Sequence, residues 1–278
     1  MGVFETEERR KERERQEDLQ RLRGLRPIDD DFMRCIFKDN IPLVQKVLRI
    51  LTRNDSLNIV KVETQVDMKR LVGARSLVLD ALGNDDKGQE YNIEIQRADK
   101  GAGKKRARYH LSALDIDNLD AGEDFDALPE TYVIFITEND IFGKGKPYYR
   151  IERMNLDADE FFDDGEHILY INGAYRGDDA IGKLMHDFSC ADPNDMNDTD
   201  MADISRYYKE TEEGVSAVCK VMEDMRNEAA ANAAMRKAID IAISMINDGK
   251  LALEDIAKYT SLPIADVQKL AELQLSSI

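Results

Sequence analysis

Residues Tyr91–Arg108 read YNIEIQRADKGAGKKRAR. The first half alternates. Glu94 and Gln96 stand two apart, so a strand turns both to one face and leaves Ile93 and Ile95 on the other. Arg97, Lys100, Lys104, Lys105, Arg106 and Arg108 follow, opposed only by Asp99. An acid, an amide and the densest basic run thus share one strand-to-helix passage, in a chain whose formal net charge is −17.

That strand has a neighbour. The apolar run SLVLDALG (76–83) carries Asp80, and NDDKGQ (84–89) is turn chemistry. The pattern predicts a hairpin with Asp80 and Glu94 on adjacent strands. Two converging carboxylates suit a hard divalent cation such as Mg²⁺, which takes oxygen ligands, and the Ile95 carbonyl offers another oxygen. Such an ion activates water and neutralises a phosphodiester in the transition state. Spacing alone leaves a plainer arrangement open. D…E-x-Q also fits the exposed face of an edge hairpin, and a charge run also fits a solvated helix face. The basic run follows the Glu-x-Gln strand directly, which favours a groove that holds a phosphate backbone. Gly101 and Gly103 let the chain come close to it.

Upstream, residues 1–24 are charged with mixed sign and predict a solvated helix. Pro27 and the acids Asp29, Asp30 and Asp31 punctuate the chain before the helical pattern Phe32, Ile36, Phe37. Asp29 is either a helix-start acid or a further acid of the site. A second helix follows Pro42, and NIVKVETQV (58–66) alternates as a strand. Downstream, KKRARYHLSALDIDNL predicts a helix. TYVIFITEND (131–140) reads as a fully buried strand, and YYRIERMN and HILYINGAY supply two more. This order predicts an α/β core. ADPNDMNDTDMAD reads as an acidic loop, and residues from 204 to about 246 as helices. The tail holds two short helices around Ser261-Leu262-Pro263.

With 278 residues and 42% hydrophobic content, the chain can build one large domain or two smaller ones. The strong negative charge excludes a generic coater of nucleic acid but not a local basic groove. Cys35, Cys190 and Cys219 form no C-x-x-C pair, which predicts no disulfide framework and a reducing cytoplasm. MGVFETEERRKERERQ lacks the apolar core of a secretory signal, and no apolar run approaches the roughly 18 residues of a membrane span. His186 and Cys190 in MHDFSC lack a second ligand pair, which points to packing or capping. His110 either touches substrate or is structural. The second tail helix, IADVQKLAEL, has one base, Lys269, against Asp266 and Glu272. It predicts packing or homo-oligomerisation through the C-terminal helices more than base reading.

Four stretches in order, PIDDDFMRCIFKDN, GARSLVLDALGNDDKGQEYNIEIQRADKGAGKKRARYH, LPETYVIFITENDIFGKGKPYYRI and HILYINGAY…GKLMHDFSC, resemble the PD-(D/E)XK nuclease superfamily. Within it they resemble the recombination-promoting nuclease or transposase family. The resemblance implies a three-layer restriction-endonuclease-like core with a mixed central sheet over residues 25–200. The helix at 1–24 and a helical region at 201–278 flank it. It implies a Mg²⁺- or Mn²⁺-dependent DNA endonuclease in which Asp80 and Glu94 take the places of the two motif acids. Gln96 stands where the superfamily has Lys; it orients water or phosphate but carries no proton. Arg106, Arg108 and Tyr109 match a basic-aromatic patch suited to DNA, and Asp29 matches the acid before the first-helix Phe. The departure at Gln96 leaves a second expectation beside the first, a fold that binds DNA or protein without cutting.

Overall fold

A computed structural model describes residues 7–68, 77–97 and 99–275. Ser76, which opens the quoted strand run, and the Lys100 side chain lie outside the described residues. The chain opens with α1 (Glu7–Gly24), α2 (Asp30–Phe37) and α3 (Ile41–Thr52), followed by β1 (Ile59–Met68), β2 (Leu77–Asp85) and β3 (Glu90–Gln96). Then come α4 (Lys104–Asn118), β4 (Thr131–Thr137), β5 (Tyr148–Ile151), the small pair β6 (Met154–Asn155) and β7 (Glu160–Phe161), and β8 (Glu166–Asn172). The rest is helical: α5 (Ala180–Ser189), α6 (Thr199–Glu210), α7 (Glu212–Asp248), α8 (Leu253–Thr260) and α9 (Ile264–Leu275).

These residues form two compact units, one over residues 7–68 and 78–221 and one made chiefly of residues 222–275. In the first, six strands lie in the order β1-β2-β3-β4-β8-β5. β2 and β3 are antiparallel, β3, β4 and β8 are parallel, and β5 returns antiparallel on β8. The sheet is therefore mixed. Its centre is β4, TYVIFIT, whose interior is buried on both faces, as a strand covered by helices on either side must be.

Side-chain alternation assigns the two faces. Asn92, Glu94 and Gln96 share one with Phe135 and Tyr170, by the parallel register Glu94↔Phe135↔Tyr170. Helix α4 covers this face, where the His110 ring meets Phe135 edge-on at 5.7 Å. The opposite face carries Gly83, which leaves room for Leu48 of α3; a Cβ there would lie 3.5 Å from Leu48 Cδ1. The layers are thus α3, sheet, α4. Phe32, Met33, Ile36, Phe37, Val44, Leu48 and Leu51 are buried from the α2–α3 side. Leucine- and isoleucine-sized side chains each contribute on the order of 1.5–3 kcal/mol when removed from water.

Three local readings change. The end of the acidic loop is helical, because the Asp198 carboxylate accepts from Met201 N at 3.0 Å and caps α6. YYRIERMN, read as one strand, divides into β5 and β6, and β6 pairs antiparallel with β7. α5 forms over AIGKLMHDFS, capped by Asp179 through Gly182 N at 2.8 Å. In the second unit, Ala242, Ile256, Leu262, Val267 and Leu270 make a small core shared by α7, α8 and α9. Ile256, Leu262, Val267 and Leu270 of the tail are thus used in packing.

Candidate active site

The regular β2–β3 pairing ends at Ala81↔Ile93, and one step further Asp80 stands opposite Glu94. Residues directly opposite in an antiparallel pair share a face. The backbone N–H groups freed where the ladder stops go to the two acids. Asp80 N donates to Glu94 Oε1 at 3.3 Å, and Ile95 N donates to Asp80 Oδ2 at 2.9 Å. Each carboxylate is held by the other's strand. Glu94 is fully buried and Asp80 half-buried.

Two acids this close cannot both ionise without cost. Burial first, and then the negative charge of Asp30, pushes the Asp80 carboxyl up to about 7. Burial and the charge of Asp80 raise Glu94 well above the usual carboxylate range. Positive charge reaches Asp80 from Arg34 of α2 and reaches the pair from α4, where Arg106 Nη2 lies 3.4 Å from Glu94 Oε2. The same Arg106 donates through Nε to His110 Nε2 at 3.1 Å. His110, the residue left between substrate contact and structure, is completely buried. Burial, then the Arg106 charge, lowers its pKa to about 3.

Gln96 ends β3, half-buried, on the face of Glu94. Its amide is nested against Gly101, where an added Cβ would lie 1.8 Å from Gln96 Oε1. This is a close approach that only glycine allows.

Asp29 is placed otherwise than the helix-start reading has it. It occupies the N-cap position of α2 but its side chain makes no cap bond. It accepts instead from Arg26 N at 2.7 Å and pairs with Arg26 at 3.2 Å and Arg97 at 3.0 Å. The α2 acid that acts on Asp80 is the next residue, Asp30, itself paired with Arg34 at 3.3 Å. One residue along a helix rotates a side chain by about 100°, which separates the two roles.

The basic run divides. Arg97 turns to Asp29 and Glu138, and Arg106 to Glu94 and His110. Lys104, Lys105 and Arg108 are exposed, Tyr109 is half-buried, and Lys104 Nζ lies 5.7 Å from the Phe142 ring centroid. Helix α4 begins at Gly103 with no side-chain cap, so its N-terminal N–H groups lie beside these cations in the chain without a side-chain acceptor.

His186, Asp187 and Cys190 come together, with Cys190 Sγ 3.5 Å from His186 Nδ1. Asp187, however, is spent on the backbone. Its oxygens accept from Asn197 N and Asp198 N at 2.8 Å and from Asn197 Nδ2 at 2.9 Å. The packing or capping read from MHDFSC falls on His186 and Cys190 and does not include this carboxylate.

A mixed-sheet, three-layer α/β domain with an acid on each of two adjacent strands is the restriction-endonuclease-like arrangement. The family model described as PD-(D/E)XK nuclease family transposase matches residues 39–173. The match takes in all eight strands of the described residues, Asp80, Glu94, Gln96 and α4; Asp29 and Asp30 lie just before it. No curated protein and no solved structure matches the chain. Among the described residues no helix is long and apolar enough to cross a membrane.

Proposed function

We propose that this domain is a divalent-metal-dependent DNA endonuclease, serving recombination or the movement of mobile elements. The observation that carries the reading is the pair Asp80 and Glu94, braced by each other's strands on the face under α4. The pKa values of this buried pair of facing acids stay raised despite the charges of Arg34 and Arg106, and that residual deficit of positive charge suits Mg²⁺ or Mn²⁺. Asp80, Glu94 and the Ile95 carbonyl would hold the ion. When bound, it would neutralise the carboxylates and lower the pKa of a water.

The protein's own side chains would do the rest. Gln96 donates and accepts without changing charge, so it orients a water or a phosphate oxygen and moves no proton. Gly101 sets where its amide stands. Lys104, Lys105, Arg108 and Tyr109 hold the strand, with Arg106 between them and Glu94. Asp30 adds negative charge beside Asp80.

The test is nicking of supercoiled plasmid by the full-length protein in Mg²⁺. Steady nicking is expected; DNA binding without nicking in either Mg²⁺ or Mn²⁺ turns the reading to a non-cutting binding fold. Two further outcomes follow from single residues. Gly101→Ala displaces the flexible end of Gln96 and not backbone. The melting temperature should hardly move while kcat drops about tenfold or more, which a melting curve and a nicking time course compare directly. Truncating Lys104, Lys105 and Arg108 to Ala should lower the slope of log K against log salt. The drop should be roughly 0.9 for each duplex phosphate that is no longer neutralised, measured by fluorescence anisotropy at several salt concentrations. An unchanged slope removes these residues from the interface.

A further inference from the structure

We propose that the loop from Asp140 to Pro147 is a second contact for the backbone of duplex DNA, in which Lys144 and Lys146 extend the cationic patch of Lys104, Lys105 and Arg108. The inference rests on the nuclease reading for the identity of the partner; the order and charge of the loop stand on its own contacts.

Five consecutive backbone N–H groups of this loop turn onto two side chains. The Asp140 carboxylate accepts from Phe142 N at 3.1 Å, Gly143 N at 3.0 Å and Gly145 N at 2.7 Å. The Tyr149 hydroxyl accepts from Lys144 N at 3.2 Å and Lys146 N at 3.3 Å, and donates to Asp140 at 2.8 Å. A hydroxyl has one hydrogen and two lone pairs, so its whole capacity is used. Gly143 and Gly145 take the left-handed conformation, at φ 62° and 66°, which glycine adopts at little cost. The protein's own groups thus occupy the N–H groups, and an outside anion meets the lysine charges. Both Lys144 and Lys146 are exposed. The stretch IFGKGKPYY (141–149) contains no acid, and neither lysine has an ion-pair partner among the described residues.

The loop stands at the Gln96 end of the sheet. It leaves β4 after Thr137, the register partner of Gln96, and Glu138 N donates to Gln96 O at 3.2 Å. The Phe142 ring lies 4.6 Å from the Tyr149 ring and meets Tyr170 edge-on at 5.3 Å, and Tyr170 is on the face of Glu94. Lys104 Nζ, at the start of α4, lies 5.7 Å from the same Phe142 ring, so the loop and the first turn of α4 adjoin. The arginines close to the acids are already committed, Arg97 to Asp29 and Glu138 and Arg106 to Glu94. Lys144 and Lys146 are not. In a chain of net charge −17, cations left over on two adjoining segments complement an anion from outside. Ammonium groups are point charges on flexible stems, which suit phosphates more than base edges. Set along a loop and a helix rather than around a cavity, they match a polymer of phosphates.

Fluorescence anisotropy of a labelled duplex with full-length protein in EDTA reads binding apart from cleavage. The double variant Lys144→Ala, Lys146→Ala should lower the slope of log K against log salt by about 1.8, at roughly 0.9 for each phosphate no longer neutralised, and equally on duplexes of unrelated sequence. Lys183→Ala, exposed on α5, which packs against α3, should leave the slope unchanged. Tyr149→Phe keeps both lysines but removes the hydroxyl that holds their N–H groups. Its affinity should still fall about threefold or more, because the loop must then be ordered on binding. An unchanged slope in the double variant, an equal fall per lysine in Lys183→Ala, or native affinity in Tyr149→Phe overturns the proposal, as does a native protein that binds no duplex. If Tyr149→Phe does not fold, the lysine variant decides. If the native protein binds through the loop but does not nick in Mg²⁺, the nuclease reading fails and the loop contact stands. If it nicks while the double variant keeps the native slope, the loop contact fails and the nuclease reading stands.

Discussion

Asp80→Ala and Glu94→Ala should each reduce Mg²⁺-dependent plasmid nicking by on the order of 10³-fold, since a metal-ligand set supplies several kcal/mol of transition-state stabilisation and each 1.36 kcal/mol is tenfold. The isosteric variants Asp80→Asn and Glu94→Gln should lose a comparable amount. They keep shape and hydrogen-bonding capacity but remove the negative charge. Stability should move the other way. The native pair sets two like charges together, one of them fully buried. Neutralising Asp80 relieves that repulsion, and Asp80→Asn should melt at a higher temperature than the native protein at pH 8. A gain in stability with a loss of nicking separates a functional carboxylate from a structural one. Equal nicking by the native protein and both alanine variants would end the assignment of these acids.

The second large effect is a pH-dependent response to metal. The Asp80 carboxyl is raised from its ordinary 3.8 to about 7 by burial and by Asp30. Between these values the folded protein holds a proton that the unfolded chain has released. The unfolded state binds fewer protons there, so metal-free stability falls as pH rises from about 4 through about 7. Metal requires the carboxylates ionised. Its stabilisation should therefore be small at pH 5.5 and large at pH 8. At a hundredfold excess over Kd it should reach about 2.7 kcal/mol. Differential scanning fluorimetry with Mg²⁺ or Mn²⁺ at both pH values measures this directly. Glu94→Gln should abolish the difference. A shift of equal size at both pH values, or one that survives in Glu94→Gln, would place the ion elsewhere.

Much of this was legible in residue order because strands have a period of two. YNIEIQ set Glu94 and Gln96 on one face, and the turn residues 84–89 set Asp80 opposite them. The apolar β4 called for helices on both sides of the sheet, which α3 and α4 provide. Asp29 against Asp30 was not legible. Both stand at the start of the same helix, and their roles diverge because Arg26 and Arg97 reach the first while the charge of the second acts on Asp80. Nor was the division of the basic run, since a row of cations in sequence says nothing of which ones find acids across the sheet.

By itself, the order of residues determined local periodicity, the hairpin and the shared face of its two acids, because these depend on neighbours within about twenty positions. Tertiary structure alone decided the charge state of that face. The raised Asp80 and Glu94, the neutral His110 and the inward turn of Arg106 arise when α4 is laid over the sheet face of Glu94 and the charges of α2 come near Asp80. Removal of water at that packed surface strengthens every charge interaction there, and no single segment carries that information.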